Sequence, residues 1–186
     1  KISVLGCRIP TGWGAVVNNA KAKQGCTALV VGLGGVGFNI LQRLKSVGAT
    51  VVIGADIHDK KEWAMSWGAT HYIDVSKQDL VAEVMNITGI GVDYAFDAIG
   101  DGHVQEQCVE AITKNGKAIW AGVTPIGLQS IQLNPWVITH YQKEIIGSLY
   151  GGASPFEMVP QLINMYRAGK IMFDELITKY YKLDQI

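Results

Sequence analysis

Residues 27–32 read T-A-L-V-V-G, a short β-branched apolar run that leads straight into the turn Gly32-Leu33-Gly34-Gly35-Val36-Gly37. Apolar side chains then recur at Val36, Ile40, Leu41, Leu44 and Val47, with Gly48 behind them. That is the spacing of one helical face and its stop. A buried strand, a turn stripped of side chains and a helix constrain the chain severely, because the next strand must return parallel to the first. The pattern repeats. Strands are expected at 50–55, 71–73, 92–96, 117–123 and 144–150, and helices at 59–67, 78–85, 104–112 and 155–168. The expectation is a doubly wound α/β fold: a parallel, six-stranded sheet with helices on both faces. Asn115-Gly116 reads as a turn. Residues 124–141, with Pro125, Gly127 and Pro135, read as one long irregular connection.

The chain has 186 residues, enough for one such unit. Its 16 basic and 16 acidic residues cancel, which removes the electrostatic case for a nucleic-acid or anionic-membrane partner. The longest apolar stretch, 28–41, holds four glycines and Asn39 and falls short of the ~18–20 residues of a membrane span. Charged residues are only 17%, against ~25% in an average domain. So weakly charged a surface is expected to face another domain or a subunit. Cys7, Cys26 and Cys108 form no C-x-x-C pair, so they build neither a disulfide framework nor a self-contained zinc site. The expected compartment is the reducing cytoplasm. The chain begins at Lys1 without a signal-peptide pattern and reads as a piece of a longer protein.

The glycines match G-x-G-x-x-G in the context that motif requires, after a strand and opening a helix. Gly32 permits the tight turn, Gly34 lets a pyrophosphate reach the backbone, and Gly37 lets helix and strand pack closely. Leu33, Gly35 and Val36 complete the cradle, and the helix N-terminus adds donors and partial positive charge. Asp56 lies 19 residues after Gly37, at the end of the second strand. A carboxylate there accepts from both ribose hydroxyls of NAD and repels the extra phosphate of NADP. Lys61 is within reach of the same ribose. The blander reading is a ligand-free tight turn with Asp56 as a helix cap. A methyltransferase would carry an acid just before the first glycine, where this chain has Val30 and Val31.

Seven segments, in order, resemble the coenzyme domain of the zinc-dependent medium-chain alcohol dehydrogenases. They are L-G-C-R-I-P-T-G-W-G-A at 5–15, the glycine-rich turn, Asp56, W-G-A-T at 67–70, V-D-Y-A-F-D with Ile99-Gly100, A-G-V at 121–123, and G-S-L-Y-G-G at 147–152. The resemblance implies a Rossmann domain at 26–170. Residues 1–25, with a helix, and 171–186 would then join it to a catalytic domain outside this chain. It further implies that Cys7 is one ligand of a catalytic zinc and that Thr11 touches the nicotinamide side. Ile99, Gly100, Ala121, Val123 and Tyr150 would wall the cofactor groove. A homodimer through the Glu144–Tyr150 edge and an alcohol or aldehyde substrate also follow from it. The family's other zinc ligands, its proton relay and its structural four-Cys lobe have no counterpart here. His58, His71, His103 and His140 lack metal-ligand spacing with Cys7, and Cys26 and Cys108 read as plain buried cysteines. The chain alone is therefore expected to be inactive. Two alternatives share the fold: a zinc-free quinone or enoyl reductase, and a non-enzymatic NAD-sensing module.

Overall fold

A computed structural model describes residues 2–127 and 130–185. After a 3₁₀ turn (Ile2–Gly6), helix α1 (Arg8–Gly14) runs on as a π-helical segment (Ala15–Ala20). Then follow β1 (Thr27–Val31), α2 (Gly35–Val47), β2 (Val51–Asp56), α3 (Lys61–Trp67), β3 (His71–Asp74), α4 (Leu80–Thr88) and β4 (Val92–Asp97). The second half holds α5 (Gly102–Ala111), β5 (Ile112–Trp120), α6 (Pro135–Tyr141), β6 (Glu144–Gly147) and α7 (Pro155–Arg167). The six strands form one sheet in the order β3-β2-β1-β4-β5-β6, every neighbouring pair parallel. The order reverses between β1 and β4, and in such sheets ligands bind in the crevice beyond the carboxyl ends at that point.

Alternation along the strands builds two cores. Ala28, Val30, Val52, Tyr94, Phe96 and Ile119 face one side, where α1 and α2 pack. Leu29, Val31, Ile53, Ala55, Ala95 and Ala118 face the other, beneath α4 and α5. Because both faces are covered, these strands read as continuous apolar runs. α1 crosses α2 at Gly12, where a methyl would overlap the Val36 carbonyl oxygen and lie 2.8 Å from Asn39 Cβ. Fully buried Asn39 donates to the Gly35 carbonyl at 2.6 Å and accepts from Gln42 at 2.6 Å. Gln42 also reaches the chain's last stretch, donating to the Met172 carbonyl (3.3 Å) and accepting from the Met172 N–H (3.0 Å).

Three expectations need correction, besides the strand expected at 144–150, which ends at Gly147, with Tyr150 already in a 3₁₀ turn (Tyr150–Gly152). The connection at 124–141 is not wholly irregular: α6 occupies its end, capped by Asn134, whose side chain accepts from Trp136 and Val137 N–H, with Pro135 in the first turn. β5 starts at Ile112 rather than 117, and Asn115-Gly116 is a bulge inside it. Val92 pairs with Ile112 while Tyr94 pairs with Lys117, and Asn115 takes φ 59° to absorb the surplus. β5 also stops at Trp120, because the N–H groups of Ala121 and Gly122 both turn to the Asp97 carbonyl, each at 2.9 Å.

Candidate cofactor site

The glycine-rich turn sits at the carboxyl end of β1. Gly32 has φ +92°, a conformation that favours glycine, and its N–H donates to the Ala55 carbonyl at 2.9 Å. A methyl on Gly37 would overlap the Gly32 carbonyl oxygen, so this glycine is fixed by close packing of helix on strand. A methyl on Gly34, in contrast, would meet nothing within 4 Å. The space above Gly34 is open, and it faces the first turn of α2, where the N–H groups of Gly35, Val36 and Gly37 have no acceptor within the helix. An opening of this kind fits a pyrophosphate. The Arg8 side chain packs against the next residue, Gly35, its Cγ 3.1 Å from where a methyl there would stand.

Asp56 closes β2 beside this opening. Its Oδ2 accepts from the Leu33 N–H (2.8 Å) and from the Lys60 ammonium (2.9 Å), and its Oδ1 accepts from the His58 N–H (2.9 Å). Burial alone would raise this carboxyl's pKa. The His58 N–H, the Lys60 ammonium and the Leu33 N–H outweigh it and hold the carboxyl below its ordinary value. A carboxylate has about four acceptor directions, and three are taken here. In this arrangement Asp56 has room for one ribose hydroxyl, not for both. Lys60, which the sequence did not single out, is the lysine on Asp56, and it also donates to the Leu33 carbonyl at 2.9 Å. Lys61 stays exposed next to it as the first residue of α3.

Asp97 closes β4 and is fully buried. Its Oδ1 accepts from the Ile99 (2.8 Å) and Gly100 (2.9 Å) N–H groups, and its Oδ2 accepts from Gln105 (3.2 Å). The same Gln105 amide nitrogen donates to Thr124 Oγ1 at 2.8 Å. This network ties the loop after β4 to the loop after β5. Gly100 has φ +87°, and a methyl on it would strike the Val123 backbone. Ile99, Gly100 and Val123 therefore stand together at the rim, with Val123 87% exposed, while Ala121 lies buried below them.

Cys7 is exposed and lies 3.8 Å from the Thr11 hydroxyl, one turn along α1. Thr11 itself is buried. The Tyr150 hydroxyl donates to the Gly6 carbonyl at 2.6 Å, so the chain beyond β6 is tied to the residue before Cys7. Cys26 and Cys108 are buried, and burial pushes the Cys108 thiol well above its ordinary pKa. Among the described residues no three His, Cys, Asp or Glu side chains come together as a metal site. A catalytic zinc takes three protein ligands. Cys7 fits as one of them, and the described residues do not complete the set.

A parallel sheet in this order, with a glycine cradle and an acid at the end of the second strand, defines a dinucleotide-binding α/β domain. The chain matches the zinc-binding dehydrogenase family over residues 35–167 and belongs to it. It is 39% identical to an alcohol dehydrogenase class-3 of Cereibacter sphaeroides, over all of this chain and 52% of that protein. It is 38% identical to an S-(hydroxymethyl)glutathione dehydrogenase of Paracoccus denitrificans, over all of this chain and 52% of that protein. In structure it resembles the benzyl alcohol dehydrogenase of Acinetobacter calcoaceticus, with TM-score 0.89 and 34% identity over 95% of this chain and 49% of that one. The chain thus spans about half the length of the curated relatives it matches.

Proposed function

We propose that this chain is the NAD-binding part of a zinc-dependent alcohol dehydrogenase, which moves a hydride between an alcohol and the nicotinamide. The observation that carries this reading is the open space above Gly34, set against the first turn of α2 with Asp56 alongside. The backbone donors of 35–37 bind the pyrophosphate. Asp56 accepts from the adenosine ribose, with Lys61 within reach of it. Ile99, Gly100, Ala121, Val123 and Tyr150 shape the groove toward the nicotinamide, and Thr11 faces its far end. Cys7 would be one ligand of a zinc whose other ligands lie outside this chain, and the metal would supply Lewis-acid polarisation of the alcohol. This chain's task is to hold the cofactor in fixed orientation in dry surroundings. Residues 1–25 and 171–186 lead to the rest of the protein. The 186 residues alone bind the dinucleotide and turn over no alcohol.

The names of the relatives support an alcohol or aldehyde as substrate. The edge position of β6 supports a homodimer that continues the sheet. Three unpaired thiols support a cytoplasmic setting, and no helix among the described residues is long and apolar enough to cross a membrane. Calorimetric titration with NAD and with ADP-ribose tests the central reading. Saturable one-to-one binding of both is expected, with no alcohol-dependent NADH formation. A folded chain that binds neither overturns it.

A further inference from the structure

One side chain of β3 reaches beyond its own strand. In the sheet register Tyr72 pairs with Gly54, two residues before Asp56, and its half-buried ring packs against the core. Its hydroxyl meets the loop 57–60 that joins β2 to α3. There it donates to the His58 carbonyl and accepts from the Lys60 N–H at 3.3 Å. Burial, with the carboxylates of Asp56, Asp74 and Asp59 nearby, holds this phenol above its ordinary pKa against the opposing pull of the Lys60 N–H. At neutral pH it is therefore a protonated donor.

The two residues that Tyr72 holds are two of the three that bond Asp56. The His58 N–H donates to Asp56 Oδ1 and the Lys60 ammonium to Oδ2, each at 2.9 Å. His58 is thus gripped through both of its main-chain groups, the N–H by Asp56 and the carbonyl by Tyr72. Lys60 is gripped at both ends, its backbone N–H by Tyr72 and its ammonium by Asp56. Ile57, His58 and Asp59 are all exposed. Packing therefore does little to fix this loop, and its hydrogen bonds do most of it. A carboxylate selects one hydroxyl only when its free acceptor direction is fixed in space. Were the loop to shift, two of the donors on Asp56 would shift with it, and the direction left for a ribose would be lost.

We infer that Tyr72 is a positioning residue for the adenosine end of the cofactor site. Its hydroxyl acts through loop 57–60, fixing the acceptor direction that Asp56 presents to the ribose 2′-hydroxyl. This rests on the dinucleotide reading above.

The test is calorimetric titration of the full 186-residue chain with ADP and with 2′-deoxy-ADP, as wild type and as Tyr72→Phe. The two ligands share the pyrophosphate and differ by one ribose hydroxyl. The wild type should bind ADP about tenfold more tightly or better, the size of one hydrogen bond to a charged group. Tyr72→Phe should bring the two ligands within about threefold, weakening ADP while 2′-deoxy-ADP stays near its wild-type value. A Phe variant that keeps the wild-type ratio overturns the proposal, including one that weakens both ligands equally. In that case Tyr72 only braces the loop against β3, and the dinucleotide reading stands. A wild type that binds both ligands alike also overturns the proposal and leaves the phosphate cradle intact. A folded wild type that binds neither overturns the proposal and the dinucleotide reading together. Should Tyr72→Phe not fold, amide hydrogen exchange of the ligand-free wild type decides. The Lys60 amide, bonded to the Tyr72 hydroxyl, should exchange about tenfold more slowly than an open loop amide or slower still, and exchange at the unprotected rate overturns the proposal.

Discussion

The Tyr150 hydroxyl and the Gly6 carbonyl, 144 positions apart, meet at 2.6 Å. Tyr150 holds φ 52°, a left-handed conformation rare for a bulky residue. The chain leaving β6 therefore carries local strain at the point where it grips the segment ahead of Cys7. Tyr150→Phe keeps the ring and removes the bond. Unfolding in urea should show a loss of about 1 kcal/mol. Iodoacetamide should also alkylate exposed Cys7 faster as its leading segment loosens. An unchanged alkylation rate would show that Tyr150 does not position Cys7.

Gly34 and Gly37 lie three residues apart and should fail in opposite ways. A methyl on Gly34 enters open space, and its φ −99°, ψ −160° suits any residue. Gly34→Ala should melt like wild type yet bind ADP-ribose at least tenfold more weakly. A methyl on Gly37 overlaps the Gly32 carbonyl oxygen. Gly37→Ala should cost about 1–3 kcal/mol through overpacking of helix on strand, read as a lower urea midpoint. If Gly34→Ala binds normally, the opening is not the phosphate site.

Asp56 should leave a signature on the acid side. Its carboxyl titrates below its unfolded value of ~3.9. A depressed folded pKa adds stability that is fully present above the unfolded value and drains away as pH falls through the folded one. At neutral pH Asp56→Asn should be less stable by about 1–3 kcal/mol, having lost the charged acceptor for Lys60 and two N–H groups. The gap should close between about pH 5 and pH 2. A gap that stays constant across that range would mean that Asp56 contributes no charge-dependent stability.

β6 ends the sheet on one side, and Leu149 just beyond it is 88% exposed. Light scattering should show a mass that rises with concentration toward twice the chain mass. Leu149→Lys should hold the chain monomeric. A wild type that stays monomeric at high concentration counts against pairing along β6.

Most of the sheet could be read in the sequence for a physical reason. Strands buried on both faces, such as Leu29-Val30-Val31 and Val52-Ile53, are apolar without interruption, and the turns between them are glycine. α6 was harder to see. It has seven residues and buries no side chain, so it has too little amphipathic pattern to register, although Asn134-Pro135 is a readable start signal. The early start of β5 was hidden because Lys114-Asn115-Gly116 imitates a turn where the strand merely bulges. In the site, the glycines and Asp56 are legible from spacing, but the choice between Lys60 and Lys61 is not. It depends on where α3 begins. Lys60 is the cap residue at φ −124°, with its side chain on Asp56, whereas Lys61 has already entered the helix. Adjacent identical residues carry no sign of that difference.

Gln42 holds the Met172 stretch by both its backbone N–H and its backbone carbonyl, as a neighbouring strand would. A grip on the main chain is indifferent to the side chain it holds. Over evolutionary time, position 172 is therefore free to drift among residues of similar bulk, proline excepted, because proline would surrender the N–H. Heritable constraint falls instead on Gln42, whose replacement would release the stretch whatever residue occupied 172.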